Sequence, residues 1–159
     1  MKDYHDDTKW AMQPLQQKWA NLPIKQRCRI VGSARHGIAA LADEFVRRCA
    51  SPIRVDPVET VASELVPLCD ALVWLSKRGP KVLADRTVGV AGRPLWLWGV
   101  RSTVRRVPLG RVLILGTWNY PLFLAGVQAA QALAAGNQVL MKPAPGCESA
   151  TQQLADCFV

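Results

Sequence analysis

A chain of 159 residues, of which 50% are apolar and 20% charged, has the composition of a folded globular protein and not of a disordered or fibrous one. Its net charge of +8 suits an anionic cofactor, but the basic residues are scattered, so we expect no nucleic-acid binding. No apolar run reaches the roughly 18 residues of a membrane helix, so no membrane span is predicted. The first residues lack the apolar core of a signal peptide, so no signal peptide is predicted either.

The five cysteines occur singly and are odd in number. They lack the short paired spacing of zinc ligands and the even count of a disulfide framework. We therefore predict reduced thiols, no metal site and a cytoplasmic location.

Residues 1–86 are predicted to be helical. Apolar residues recur at three- and four-residue spacing from Ile24 to Phe45, which predicts one helix. Asn21 is its candidate cap, and Ser51 is expected near its end.

A second helix is predicted from "DPVET" onward. Asp56 is its expected cap, and Gly79 and Pro80 are its expected end. Pro67 lies inside this helix and predicts a kink or a break, because proline lacks a backbone N–H.

Residues 87–108 change to β character and are predicted to form an antiparallel hairpin or extended arm. In "LWLWGVRSTVRRV" strand periodicity places Trp96 and Trp98 on one face. Two interpretations remain open for these tryptophans: a surface that another subunit covers, or a core strand within the chain.

Residues 109–159 follow the order strand, helix, strand, helix. "GRVLIL" is an apolar run typical of a parallel strand covered on both faces, and "NQVLMKP" is the second strand. The helix between them, "PLFLAGVQAAQALAAG", begins with proline and ends at glycine. The predicted fold class is therefore α/β: N-terminal helices and a β arm, then the first βαβα of a Rossmann-like domain. Because two parallel strands rarely stand alone, the sequence reads as the front part of a larger fold.

Ligands of open α/β sheets lie outside the carboxyl ends of the strands, where "GTWNYP" and "KPAPG" are expected. Asn119 is either a cap of the following helix or a donor to a developing oxyanion. Trp118 is either core or the wall of a ligand pocket. Lys142 either binds a ribose or ends its strand in solvent, and no G-x-G-x-x-G follows the first strand.

The stretch "PLGRVLILGTWNYPLFLAGVQAAQALAAGNQVLMKP" resembles the N-terminal part of the cofactor domain in the aldehyde dehydrogenase superfamily. "GTWNYP" is most similar to the branch that includes fatty and aromatic aldehyde dehydrogenases. The preceding helices and "RPLWLWGVRSTVRRVPLG" have the order expected of that family. The resemblance implies a helical segment (1–86), an oligomerisation-type β arm (87–108) and the start of a dinucleotide-binding domain (109–159).

The resemblance also assigns roles to residues. It implies that Asn119 stabilises the oxyanion formed when a cysteine thiolate attacks an aldehyde. It places Leu115, Gly116, Thr117 and Trp118 along the NAD or NADP site. Lys142 matches a lysine that holds the adenosine ribose, and residues 95–107 match strands that form a homo-oligomer.

Two departures from the family pattern matter. Pro145 stands where many NAD-preferring members have a glutamate, so a carboxylate that repels the 2′-phosphate of NADP is absent. The family's nucleophilic cysteine, general-base glutamate and glycine-rich loop all lie beyond the matched stretch. We therefore expect the N-terminal portion of an NAD(P)-dependent aldehyde dehydrogenase that is inactive alone. The alternative is a non-catalytic binding or interaction module derived from that fold.

Overall fold

The computed structural model describes residues 14–52, 54–89 and 91–158. Within these ranges the α-helices are α1 (Pro14–Ala20), α2 (Ile24–Ala40), α3 (Ala42–Cys49), α4 (Pro57–Thr60), α5 (Val66–Leu83), α6 (Phe123–Ala134) and α7 (Glu148–Asp156). The strands are β1 (Arg86–Val88), β2 (Ser102–Val104), β3 (Arg111–Leu115) and β4 (Gln138–Lys142). The predicted α/β order is confirmed. No helix of the described ranges is long and apolar enough to cross a membrane.

The first predicted helix is divided into two. Leu41, with φ −105° and ψ 18°, leaves the helical conformation between α2 and α3. Asp43 and Glu44 then lie in the first turn of α3, where acidic side chains suit the helix dipole. The prediction of Asn21 as the cap is wrong, because α2 begins after Pro23 with no side-chain cap.

The second predicted helix begins as expected and becomes π-helical before Pro67. The Asp56 carboxylate accepts a hydrogen bond from the Val58 N–H at 2.8 Å and caps α4. Residues Val61–Leu65 then form a π-helical segment that leads into α5. Leu65 and Val66 keep helical dihedrals, so the predicted break is not seen, and the irregularity before Pro67 is this π-helical segment. Such segments often lie at functional sites.

The predicted end of this helix at Gly79 and Pro80 is wrong, because α5 continues to Leu83. Gly79 serves packing instead: a Cβ there would lie 3.0 Å from the Cys28 sulfur of α2. Gly32 is tighter still, because its Cβ would lie 2.7 Å from the Cβ of Ser76. The two glycines allow α2 and α5 to pack closely, which a larger side chain would prevent.

One hydrophobic cluster joins the N-terminal helices to the βαβα unit. Its fully buried members come from both parts of the chain: Cys28, Ile38, Phe45, Leu68, Leu72, Leu122, Ala134, Ala150 and Leu154. Gly126 of α6 brings that helix against α5, since a Cβ at this position would lie 2.9 Å from the methyl carbons of Leu68. The helical segment therefore forms part of the support for α6.

The β arm is present, but its tryptophans are not in a strand. β1 and β2 pair antiparallel, with Thr87 opposite Thr103. Between them, Leu95–Leu97 form a single 3₁₀ turn after Pro94. The strand predicted for Trp96 and Trp98 is therefore wrong. Their side chains are 81% and 61% exposed, which also overturns the interpretation as a core strand.

β3 and β4 form a parallel pair around α6, as predicted, with Leu115 opposite Lys142. Ile114 of β3 packs on Ala125 and Ala129 of α6. On the other face, half or more of each leucine side chain is exposed, at Leu113, Leu115 and Leu140. We predicted that β3 would be covered on both faces. The described residues cover only the face that packs on α6.

The sequence "AAGN" ends α6 and returns the chain to β4. Gly136 has φ +96°, a conformation that glycine adopts without strain. The buried Asn137 amide oxygen accepts hydrogen bonds from the N–H groups of Leu109 and Gly110 at 2.6 and 3.1 Å. Asn137 therefore fastens the start of β3 to the end of α6.

Candidate functional site

The six site residues predicted from the sequence lie at the carboxyl ends of β3 and β4. Leu115 and Lys142 are the last residues of the two strands. The Gly116 N–H donates to the Lys142 carbonyl at 2.8 Å and extends the ladder by one bond. Thr117, Trp118 and Asn119 follow in an exposed turn, in which the Thr117 hydroxyl donates to the Tyr120 carbonyl at 3.4 Å.

Asn119 does not cap α6, so that interpretation is wrong. The helix begins at Phe123, and no neighbouring side chain caps it. The cap is the carboxylate of Glu64, whose Oε2 accepts from the N–H groups of Leu122 and Phe123 at 2.6 and 3.1 Å. Within the described residues the Asn119 side-chain amide has no hydrogen bond and is exposed.

Glu64 is itself paired with Arg54. One guanidinium nitrogen of Arg54 donates to Glu64 Oε1, and the other donates to the backbone carbonyl of Asn119. Burial lowers the pKa of Arg54, but the hydrogen bond and charge of Glu64 raise it by more, so the net pKa lies above its ordinary value. The guanidinium carbon also lies 5.9 Å from the centre of the Tyr120 ring.

A cleft of about 770 Å³ opens beside this pair. Trp118, Asn119 and Tyr120 line one side, Cys49 and Arg54 line another, and the loop around Pro145 and Cys147 closes a third. Trp118 is 65% exposed, so its interpretation as an ordinary core residue is wrong. Aromatic side chains beside an exposed amide give the cleft the mixed apolar and polar lining that is typical of small-molecule sites.

Lys142 lies outside the lining of that cleft and is exposed. Its ammonium group donates to the Pro143 carbonyl at 3.3 Å. The close approach of Gly116, whose Cβ would lie 3.3 Å from the Lys142 carbonyl oxygen, keeps the two strand ends together. An exposed cation at a strand end can meet the hydroxyls or the phosphate of a dinucleotide.

Burial raises the pKa of all five thiols above the ordinary value: Cys28, Cys49, Cys69, Cys147 and Cys157. Two of them, Cys49 and Cys147, border the cleft. The pKa of Cys49 reaches about 11, through burial first and the charge of Glu64 second. A nucleophilic cysteine needs a lowered pKa, so these thiols lack that activation. Among the described residues no group of three potential metal ligands is found.

Sequence reasoning missed Arg54 and Glu64. The sequence does contain a signal for Glu64, because it lies three residues after Val61 and four before Leu68, on the apolar face of its helix. A charged side chain buried on such a face requires a partner. Arg54 lies in an irregular segment and offered no comparable pattern.

The parallel pair of β3 and β4 around α6, followed by α7, has the βαβα order of a Rossmann-like α/β fold. The model of the aldehyde dehydrogenase family matches residues 2–159. The chain belongs to this family.

Two relatives are 29% identical to this chain. A 4,4′-diapolycopene aldehyde oxidase of Methylomonas sp. matches over 143 residues, which are 88% of this chain and 26% of that protein. An NADP-dependent glyceraldehyde-3-phosphate dehydrogenase of Apium graveolens matches over 150 residues, which are 91% and 29% of the two chains. The chain therefore spans less than a third of the length of these relatives.

The crystal structure of an NADP-dependent enzyme from E. coli has the same fold over the shared part. It superposes with a TM-score of 0.73 at 22% identity and covers 90% of this chain and 28% of the other. The helices, the arm and the βαβα unit thus share the fold of about 28% of that chain, which confirms the predicted fold class.

Proposed function

We propose that this chain supplies the N-terminal portion of an NAD(P)-dependent aldehyde dehydrogenase that oxidises an aldehyde to a carboxylic acid. The observation that carries the proposal is the state of Asn119: Glu64 caps α6 in its place, and its exposed amide lines a cleft. An amide N–H held at a strand end and beside a helix N-terminus is suited to stabilise a developing oxyanion.

In the proposed reaction a cysteine thiolate adds to the aldehyde carbonyl and forms a thiohemiacetal, whose oxygen carries the negative charge. The side-chain N–H of Asn119 donates to that oxygen. A nicotinamide cofactor, held by Lys142 and the residues from Leu115 to Trp118, would supply the hydride acceptor, and water would then hydrolyse the thioester. We propose that the cysteine and the general base come from another part of the enzyme, since burial raises the pKa of both thiols at the cleft, Cys49 and Cys147.

The residues at the strand ends fit a dinucleotide. Lys142 offers an exposed ammonium group, and the chain carries a net charge of +8. Leu115, Gly116, Thr117 and Trp118 would lie along the cofactor, and Lys142 would donate to its adenosine ribose. Pro145 places no carboxylate near a 2′-phosphate, so we propose that NADP is accepted as well as NAD.

The β arm is proposed to join subunits through residues 95–107. Two exposed tryptophans, with Leu95 exposed to 76%, form an apolar surface of the kind that subunit interfaces cover. Trp98 is oriented by its indole N–H, which donates to the Arg93 carbonyl at 3.4 Å. The turn is held by Arg93, whose guanidinium also bonds to the carbonyls of Val88 and Val100.

A second candidate is a non-catalytic module that binds another chain. The exposed leucines on one face of β3 and β4 favour it, because such a face gains free energy when a partner covers it. Both candidates require association with further polypeptide. They differ because only the first expects the resulting assembly to oxidise an aldehyde.

The deciding experiment is purification, from the native cells, of whatever contains this chain, through a tag at Met1. We call that material the native assembly. The proposal expects NAD(P)H formation with aldehydes from the native assembly and none from the isolated 159-residue chain. A native assembly that binds a partner without oxidising any aldehyde would favour the second candidate. Turnover by the isolated chain would contradict the assignment of the nucleophile to another part.

A further inference from the structure

The buried pair of Arg54 and Glu64 is not explained by stability alone. Glu64 is fully buried and Arg54 is 9% exposed. The desolvation cost of such a pair often equals or exceeds its Coulombic gain, but apolar side chains in its place would leave the N–H groups of Leu122 and Phe123 without their acceptor. A chain that retains this pair therefore calls for a role beyond packing.

The pair contacts the turn before α6 at both of its ends. Arg54 bonds to the carbonyl of Asn119, and Glu64 bonds to the N–H groups of Leu122 and Phe123. The guanidinium also lies near the ring of Tyr120. The two side chains come from an irregular segment and from the π-helical segment, so three parts of the chain meet at this turn.

We propose that Arg54 and Glu64 are positioning residues that hold the backbone of Asn119 so that its amide meets the reacting oxygen. The inference rests on the proposed function. Besides the bond that joins the two side chains, the pair bonds to the turn through backbone atoms, so the side chain of Asn119 stays available for the substrate. A displacement of about 1 Å at such a donor can lower turnover by roughly 100-fold.

The charges of the pair also matter to an oxyanion. A lone carboxylate behind the turn would repel negative charge that develops at Asn119. Arg54 neutralises Glu64 directly, while the carboxylate still satisfies two N–H groups of α6. Glu64 therefore fixes the turn, and Arg54 prevents its negative charge from acting on the cleft.

The first test uses NMR on the 159-residue chain with Glu64→Gln, Arg54→Lys and the control Asp85→Asn. Asp85 forms an exposed ion pair with Arg105 at 3.0 Å, and neither residue lines the cleft. In Glu64→Gln we expect the side-chain amide signals of Asn119 to shift and the exchange of the Leu122 and Phe123 amides to accelerate about tenfold or more. The Leu72 amide in α5 should exchange at its original rate, and the control should change none of these signals.

A purely structural role would accelerate all core amides together and leave the Asn119 signal of the folded state in place, and either result would overturn the proposal. If Glu64→Gln does not fold, Arg54→Lys decides, since it keeps the charge and loses the two-sided geometry of the guanidinium.

The second test measures kinetics of the native assembly. Arg54→Lys should lower kcat about tenfold or more with little change in KM, because the lost alignment acts on the transition state. A rise in KM alone would count against positioning. Failure of the proposed function would appear separately, as an unmutated assembly without aldehyde oxidation, while the NMR result would still report whether the pair holds the turn.

Discussion

The carboxylate of Glu64 caps the helix that follows Asn119, because its Oε2 accepts a hydrogen bond from the Leu122 N–H at 2.6 Å across 58 positions of sequence. The C-terminal end of this helix, α6, is also bonded by a side chain of the N-terminal segment. The Arg27 guanidinium donates to the Ala134 carbonyl at 3.0 Å. An acid at the N-terminus and a cation at the C-terminus both suit the helix dipole, so α6 is stabilised from the N-terminal segment at each end.

The first prediction concerns Asn119→Ala. Since Glu64 supplies the cap, the free energy of unfolding should change by less than ~0.5 kcal/mol, as at an ordinary surface position. In the native assembly kcat should fall by about 100- to 1,000-fold, the effect of removing one oxyanion donor. Urea unfolding and steady-state kinetics measure the two quantities.

Asn137→Ala is the matched control for that substitution. Asn137 is buried and satisfies two backbone N–H groups, so its loss should cost about 1–3 kcal/mol of stability for each donor left unpaired. If Asn119→Ala lost as much stability as the control and kept its kcat, Asn119 would have a structural role and the prediction would be wrong.

The order of elements was predictable because each one is marked by local chemistry. The cap at Asp56 and the glycine turn at Gly136 depend on side chains and backbone within a few residues. The apolar runs of β3 and β4 likewise identified the parallel pair. These features need no knowledge of what lies across the fold.

Two of the errors have the opposite cause. Gly79 has the residue type of a helix end, but it is required by the approach of Cys28 from another helix. Asn119 was open to interpretation as a cap because Glu64, the residue that does the capping, is distant in sequence. Strand periodicity at Trp96 was misleading because Pro94 begins a 3₁₀ turn there. Contacts between distant residues decided the cases of Gly79 and Asn119, and a single sequence does not state them, whereas the signal at Trp96 was local.

The second prediction concerns Lys142→Ala. An exposed lysine that bonds only to a neighbouring carbonyl contributes little to folding, so stability should be unchanged within ~0.5 kcal/mol. If Lys142 donates to the cofactor ribose, dinucleotide affinity of the native assembly should fall by about 10-fold or more, measured by titration calorimetry. Lys81→Ala, an exposed lysine on α5, is the control and should bind normally. Equal affinity in the two variants would remove Lys142 from the site.

The third prediction concerns the arm. Replacing Trp96 and Trp98 by serine should convert an oligomer into smaller species in analytical ultracentrifugation of the native assembly, since these side chains supply much of the apolar surface. Trp74→Ser is the control, because Trp74 is also 53% exposed but lies on α5. An unchanged mass in the double variant would exclude the arm as the interface.

The fourth prediction is a pH dependence that comes from Cys49. Burial first, and the charge of Glu64 second, raise the pKa of this thiol from 9.0 to about 11, so the folded chain holds the proton more tightly than the unfolded chain. Its contribution to stability is therefore complete below pH 9.0 and is lost as the pH rises towards 11. Urea unfolding across this interval should show a steeper loss of stability in the unmodified chain than in Cys49→Ala, which lacks the titrating group. Ser33→Ala, an exposed change of similar size, should keep the steeper slope. Parallel curves for the unmodified chain and Cys49→Ala would show that the thiol has the same pKa in the folded and unfolded chain. That result would contradict the raised pKa of Cys49.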